Sequence, residues 1–170
     1  MYDLKRVAIV GISGGGKSTI ANQLGKILNR TVVHLDKEHW TKDWQRRFTP
    51  DEWRTFQEKL VLADEWIIDG NYRNEIDIRL KRATFIVYVN IPKSLALFRV
   101  FKRWLFAIEH PFDKEEGTKE RVSWNIIRFI LNYPKKDMEL QLEKVKEKVF
   151  IIKNSNDSKR FLKLIHEKAA

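Results

Sequence analysis

The 170-residue sequence contains no cysteine. Disulfides and cysteine-ligated zinc are therefore excluded, and a reducing cytoplasm is the compartment that suits the chain. No apolar run approaches the ~20 residues that a membrane span needs. No membrane association is expected, and the short apolar run near the amino terminus ends in glycines rather than in a signal-peptide pattern. Proline is scarce at 4 residues and glycine at 7. Acidic residues are too few to balance the basic ones: 33 Lys+Arg against 23 Asp+Glu leave a net charge of +10. Such an excess implies an anionic partner: a nucleotide, a phosphorylated metabolite, nucleic acid or a membrane surface. Many lysines alternate with glutamates, as in "KKDMELQLEKVKEK", which is the pattern of a solvated helix face rather than of a DNA footprint.

The remaining composition, 43% hydrophobic and 33% charged, is that of a globular chain. The length predicts a single domain over residues 1–170 with room for a sizeable core.

Four of the seven glycines fall inside "GISGGGKST", Gly11 to Thr19. Glycine costs backbone entropy in any regular element, so something there requires a bare backbone. Gly11, Gly16, Lys17 and Ser18 fit G-x-x-x-x-G-K-[ST], the phosphate-binding P-loop. Gly14, Gly15 and Gly16 let successive N–H groups turn inward as an anion nest, and the following helix aims its positive end at the same place. Lys17 is placed to reach the β- and γ-phosphates of ATP (or GTP). The hydroxyl of Ser18, followed by Thr19, is placed to hold Mg²⁺. The alternative is a chance glycine-rich turn. Context argues against it: "KRVAIV" reads as a buried strand, and "KSTIANQLGKILN" carries Ile20, Leu24, Ile27 and Leu28 at helical spacing.

Strand-like and helix-like segments alternate after that. "TVVHL", "WIID", "FIVYVNI" and "KVFIIK" are short, β-branched or aromatic runs. Thr49-Pro50-Asp51-Glu52 combines an N-cap, a proline at the first helical position and a capping-box glutamate. Further helices are expected over about Pro92–Glu109, Lys119–Tyr133 and Asp157–Ala170. The pattern predicts an α/β fold: a doubly wound five-stranded parallel sheet with helices on both faces. Asp36–Phe48 and His110–Lys119 read as polar stretches near the ligand-binding edge of such a sheet. Residues 36–65 are expected to form an acceptor-side insertion, and residues 93–133 a helical lid.

A P-loop needs an acid near its metal. "WIIDG" ends in Asp69, the form of a metal-binding carboxylate, although a strand-end Asp that caps the next turn has the same form. Asp36, at the end of the second strand, is a candidate base for an attacking hydroxyl; an ordinary N-cap is the other reading. Arg73 follows Asp69 by four residues and reads either as a phosphate ligand or as a surface ion pair. Arg99 and Arg103 share a helix face, and Arg121 and Arg128 share a face of the next helix. Such guanidinium forks match phosphate oxygens, so Arg99, Arg103 and Arg121 are candidates for a charge clamp on the transferred group. Trp40 and Trp44 sit among charges and are candidate pocket residues. His34 and His39 read as a strand-packing residue and a loop residue.

Taken together, "GISGGGKSTIANQLGKIL", "HLDKEHW", "WIIDGNYR" and "LFRVFKRWL" resemble the bacterial DNA topology modulation proteins of the adenylate kinase-like P-loop group. The resemblance runs from Arg6 to Leu162. Within it, "DGNYR" is similar to the "DGFPR" block of adenylate kinases, which implies Asp69 near Mg²⁺ and Arg73 on an acceptor phosphate. Asn71-Tyr72 departs from that block. The group's sheet order implies that Asp69 lies beside the P-loop, and its base-binding loop corresponds to Asn154–Asp157.

The expected activity is that of an ATP-dependent small-molecule or nucleotide kinase. Asp36 favours a hydroxyl acceptor, whereas the block around Arg73 favours a monophosphate; being the more specific, that block tips the expectation to a monophosphate. The alternative is a nucleotide-binding regulator that acts on DNA topology through a basic surface. Nucleic-acid binding is expected to be weak and non-specific, and the sequence leaves the oligomeric state open.

Overall fold

Alternation within one strand decides the architecture. In β1 (Arg6–Gly11), Val7 and Ile9 join one apolar cluster and Ala8 and Val10 join another, all four with no exposed surface. A strand buried on both faces must be covered by helices on both.

The structure is a computed structural model and describes residues 3–41, 43, 45–105 and 124–169. After β1 come α1 (Lys17–Leu28), β2 (Val32–His34), α2 (Leu35–His39) and α3 (Pro50–Leu60). Then follow β3 (Trp66–Asp69), a 3₁₀ turn (Arg73–Glu75), α4 (Ile76–Arg82), β4 (Phe85–Val89) and α5 (Lys93–Leu105). The chain ends with α6 (Trp124–Leu131), α7 (Lys135–Glu143), β5 (Val149–Ile152) and α8 (Ser155–Ala169). The five strands are all parallel, in the order β2-β3-β1-β4-β5.

One face packs Ile20 and Leu24 of α1, Ala96 and Val100 of α5, and Phe161 and Ile165 of α8 against Val7, Ile9 and Val87. The other packs Leu35, Trp53 of α3, Ile76 and Leu80 of α4, and Met138 and Leu142 of α7 against Ala8, Ile68 and Tyr88. The fold is the doubly wound five-stranded parallel sheet expected from the sequence. With β3 on one side of β1 and β4 on the other, the carboxyl edge of β1 is the switch point where such sheets bind ligands.

The capping box at Thr49 is present: its hydroxyl accepts from the Glu52 N–H, and the Glu52 carboxylate accepts from the Thr49 N–H at 2.8 Å. The helix expected over Pro92–Glu109 runs from Lys93 to Leu105, with 106–109 outside the described residues. That expected over Lys119–Tyr133 is seen from Trp124 to Leu131, with 119–123 outside them. Two helices depart from the sequence reading. Asp36–Phe48 is not wholly a loop, because α2 begins immediately after β2 and places Asp36 in its first turn. α4 follows the Asp69 block without a side-chain N-cap hydrogen bond, and its buried apolar anchors are Ile76 and Leu80, with Ile78 partly buried beside them. Four basic residues from Arg73 to Arg82 (Arg73, Arg79, Lys81 and Arg82) hide that short amphipathic pattern.

Candidate phosphate and phosphoryl-transfer site

The turn between β1 and α1 has no room for side chains at its critical positions. Gly11 has φ +135°, and a Cβ there would lie 2.1 Å from the Val89 carbonyl oxygen of β4. Gly14 has φ +73°, and its Cβ would lie 2.7 Å from the Ala96 carbonyl oxygen of α5. The bare loop therefore lets β4 and α5 close on it. α1 starts without a side-chain cap, which leaves its first N–H groups for a ligand. Lys17 Nζ donates to the Ile12 carbonyl at 3.1 Å. Burial holds the Lys17 amine below the ordinary lysine range, opposed by the charges of Asp69 and Asp36. A bound phosphate would supply the counter-charge that this buried ammonium needs.

Above the loop opens a cleft of about 570 Å³, lined by Gly14–Thr19 together with Arg99, Lys102, Arg103, Ser155 and Ser158. Arg99 Nη1 donates to the Gly15 carbonyl at 2.8 Å, so α5 is latched to the loop by one of the two expected arginines. Arg103, one turn further on, lines the same cleft. The cleft is cationic on the α5 side and presents backbone donors on the α1 side, which suits a polyphosphate.

Asp69 ends β3 with 5% exposure. The Ser18 hydroxyl donates to its Oδ2 at 2.6 Å. His34 Nδ1 meets the same oxygen at 3.0 Å. Oδ1 is buried with no hydrogen-bond partner. A buried carboxylate oxygen without a donor beside a P-loop serine fits Mg²⁺, which is typically held by one or two side-chain oxygens plus substrate phosphates. Among the described residues no group of three or more His, Cys, Asp or Glu side chains could hold a metal without such help.

Asp36 is close enough to Lys17 for its charge to act on the ammonium. Tyr72 donates its hydroxyl to Asp36 Oδ1 at 2.9 Å. Burial and the Asp36 charge raise the Tyr72 pKa well above the ordinary tyrosine range, so the phenol remains a donor. His39 is buried among Trp40, Trp53 and Tyr72, with ring centroids 4.9, 4.5 and 5.0 Å away. Burial first, then Arg46, lowers its pKa and keeps the ring neutral. An aromatic wall thus stands beside Asp36.

The Asn71-Tyr72 departure has a structural use. The Asn71 amide exchanges two hydrogen bonds with Gly11: Gly11 N–H to Oδ1 at 2.9 Å, and Nδ2 to the Gly11 carbonyl at 2.7 Å. Tyr72 then takes φ +37° and turns its ring toward Asp36. Arg73 pairs with Asp137 of α7 at 2.8 Å, both side chains about half exposed.

The structure brings together the P-loop, Lys17, Ser18, Asp69, Asp36, Arg99 and Arg103. Arg73 forms the surface ion pair that was its plainer reading. Arg128 is exposed, and Arg121 and Trp44 lie outside the described residues. Three residues escaped the sequence reading. His34 reads in the sequence as strand packing, but the β2–β3 register sets it opposite Asp69. Asn71 signalled itself only as a departure from a motif. Arg79 is fully buried and donates to Gln57 Oε1 and to the carbonyls of Gly70 and Asn71, holding the loop after β3 from below. Burial pushes its pKa down to about 10.

No family model matches the chain. The uncharacterized protein YqaC of Bacillus subtilis (strain 168) is 26% identical over 125 residues, which span 71% of this chain and 70% of that protein. Among solved structures, shikimate kinase from Acinetobacter baumannii in complex with shikimate superposes with a TM-score of 0.58 at 18% identity, covering 98% of this chain and 96% of that one. Shikimate kinase from Bacteroides thetaiotaomicron gives 0.57 at 14% identity, covering 96% of each chain. A gluconokinase from Sinorhizobium meliloti 1021 gives 0.52 at 13%, covering 97% of this chain and 95% of that one. The resemblance to topology modulation proteins remains an expectation from sequence. What these likenesses establish is the architecture: this chain has the parallel five-stranded P-loop fold that shikimate kinases share.

Proposed function

We propose that this protein is a phosphotransferase that moves the γ-phosphoryl group of MgATP (or MgGTP) to a hydroxyl group of a small acceptor. The observation that carries the proposal is the pair of carboxylates beside the P-loop: Asp69 accepts from Ser18 at 2.6 Å, Asp36 accepts from Tyr72 at 2.9 Å, and both charges act on the buried Lys17. One sits against the P-loop serine, and the other sits against Tyr72 on the acceptor side. The kinase neighbours named for shikimate and gluconate support a small-molecule acceptor.

In this mechanism the P-loop amides and Lys17 hold the β- and γ-phosphates. Ser18 and Asp69 would hold Mg²⁺, which would supply positive charge to the nucleotide's phosphates. Arg99 and Arg103 clamp the transferred group from α5. The acceptor oxygen bonds to the γ-phosphorus, the bond from that phosphorus to the β–γ bridging oxygen breaks, and the hydroxyl proton passes to Asp36. Tyr72 holds Asp36 in line. Asn71 ties the Tyr72 loop to the P-loop, so donor and acceptor sides keep a fixed distance.

A monophosphate acceptor is the weaker reading. It would have to displace Asp137 from Arg73, and Asp36 would have no proton to take. The test is a phosphoryl-transfer screen with MgATP and MgGTP against sugars, polyols, hydroxy acids, nucleosides and nucleoside monophosphates. Transfer to a hydroxyl compound supports the proposal, and transfer confined to monophosphates contradicts it.

A further inference from the structure

Resting on the nucleotide-binding reading of the P-loop, we infer that His34 is a positioning residue for the metal: it fixes the Asp69 carboxylate so that Oδ1 faces the Mg²⁺ of the bound nucleotide. β2 and β3 pair in parallel with His34 opposite Asp69, so the two side chains leave the sheet edge together. His34 Nδ1 lies 3.0 Å from Asp69 Oδ2. Nε2 lies 3.1 Å from the side-chain amide of Asn22. Asn22 follows Ser18 by four residues on α1, so both project from one face of that helix. The result is a closed circuit, Ser18–Asp69–His34–Asn22, with α1 at both ends.

The circuit decides which carboxylate oxygen is available. Ser18 and His34 both occupy Oδ2. Oδ1 receives nothing, although it is buried. A carboxylate held by two donors on one oxygen cannot rotate freely, and its other oxygen has a fixed direction. An ionised carboxylate only accepts, so Nδ1 carries the proton in this pairing. The amide of Asn22 can present oxygen or nitrogen to Nε2, so it holds the ring in place with Nε2 either protonated or not. His34 and Asp69 are both nearly excluded from water, with 10% and 6% of their side chains exposed. A hydrogen bond between them is therefore little screened.

The role predicts a defect in metal use rather than in nucleotide binding as such. Groups that orient a ligating side chain typically contribute about 10–100-fold to metal affinity. The test is calorimetry of ADP binding in EDTA and across a Mg²⁺ titration. Wild type, His34→Leu and His34→Asn are compared, with thermal unfolding as a check on folding. His34→Leu should bind metal-free ADP as wild type does, and should need about 10–100-fold more Mg²⁺ for the metal-dependent gain in affinity. His34→Asn places an amide N–H near the Nδ1 position and should recover most of that gain. Three results overturn the inference: an unchanged Mg²⁺ requirement in His34→Leu, an equal loss of metal-free and Mg²⁺-dependent binding, or failure of Asn to rescue a folded protein. A wild type that binds no nucleotide would overturn the P-loop reading itself, and this inference with it.

Discussion

The Ser18 hydroxyl donates to Asp69 Oδ2 across 2.6 Å, joining the first turn of α1 to the end of β3. That bond exists because the sheet order sets β3 beside β1. Asp69→Asn removes the charge but keeps the volume. It should leave metal-free nucleotide affinity within about twofold and raise the Mg²⁺ concentration for half-maximal effect by about tenfold or more. A Mg²⁺ titration of nucleotide binding decides the matter, and an unchanged midpoint would remove Asp69 from the metal site.

Lys17 gives a pH signature. Burial lowers its pKa in the free protein, and a phosphate would raise it again. Lysine contributes fully to nucleotide affinity below the free protein's lowered pKa. The contribution is lost as pH rises through that value toward the bound-state pKa, at about tenfold per pH unit for one linked proton. Nucleotide affinity in wild type should therefore decline at a pH below the ordinary lysine range. Lys17→Ala should bind weakly and without that decline. Parallel pH profiles of the two proteins would contradict the assignment.

Two arginines separate structure from surface. Arg79 is fully buried among neutral oxygen acceptors, so Arg79→Met should cost about 3 kcal/mol or more in denaturant unfolding, because the Gln57, Gly70 and Asn71 oxygens are each left unsatisfied at about 1–3 kcal/mol. Arg73→Ala breaks a half-exposed pair and should cost about 1 kcal/mol or less. Equal costs would show that Arg79 does not hold the loop.

The +10 net charge makes some attraction to DNA unavoidable at low salt. Non-specific binding falls steeply as salt rises and typically has a Kd of about 10⁻⁴ to 10⁻⁶ M at physiological salt. Duplex titrations should give values in that range without dependence on base sequence. Tight, sequence-dependent binding at that salt would favour the regulatory alternative instead.

Much of this was legible in the chain. The P-loop announces itself because bare backbone at Gly11 and Gly14 is a steric demand that only glycine meets. The strands were legible because burial on both faces forces unbroken apolar runs such as "WIID". The circuit at His34 was not legible, because it depends on the pairing of β2 with β3, two strands 31 residues apart in the chain. Arg79 was hidden for a related reason. Among Arg73, Lys81 and Arg82 it reads as one more surface cation, and only the fold turns it inward onto Gln57. Residue type and spacing reveal local geometry, whereas partners supplied by a distant strand come only with the topology.

The central claim is that Asp36 accepts the proton of a hydroxyl nucleophile in phosphoryl transfer. The most direct measurement compares wild type with Asp36→Asn on the acceptor found by the screen, following both kcat and nucleotide affinity. General-base catalysis contributes about 10²–10⁴-fold, so kcat should fall by at least about 100-fold while nucleotide affinity stays within about twofold. A folded Asp36→Asn protein that keeps wild-type kcat would contradict the account.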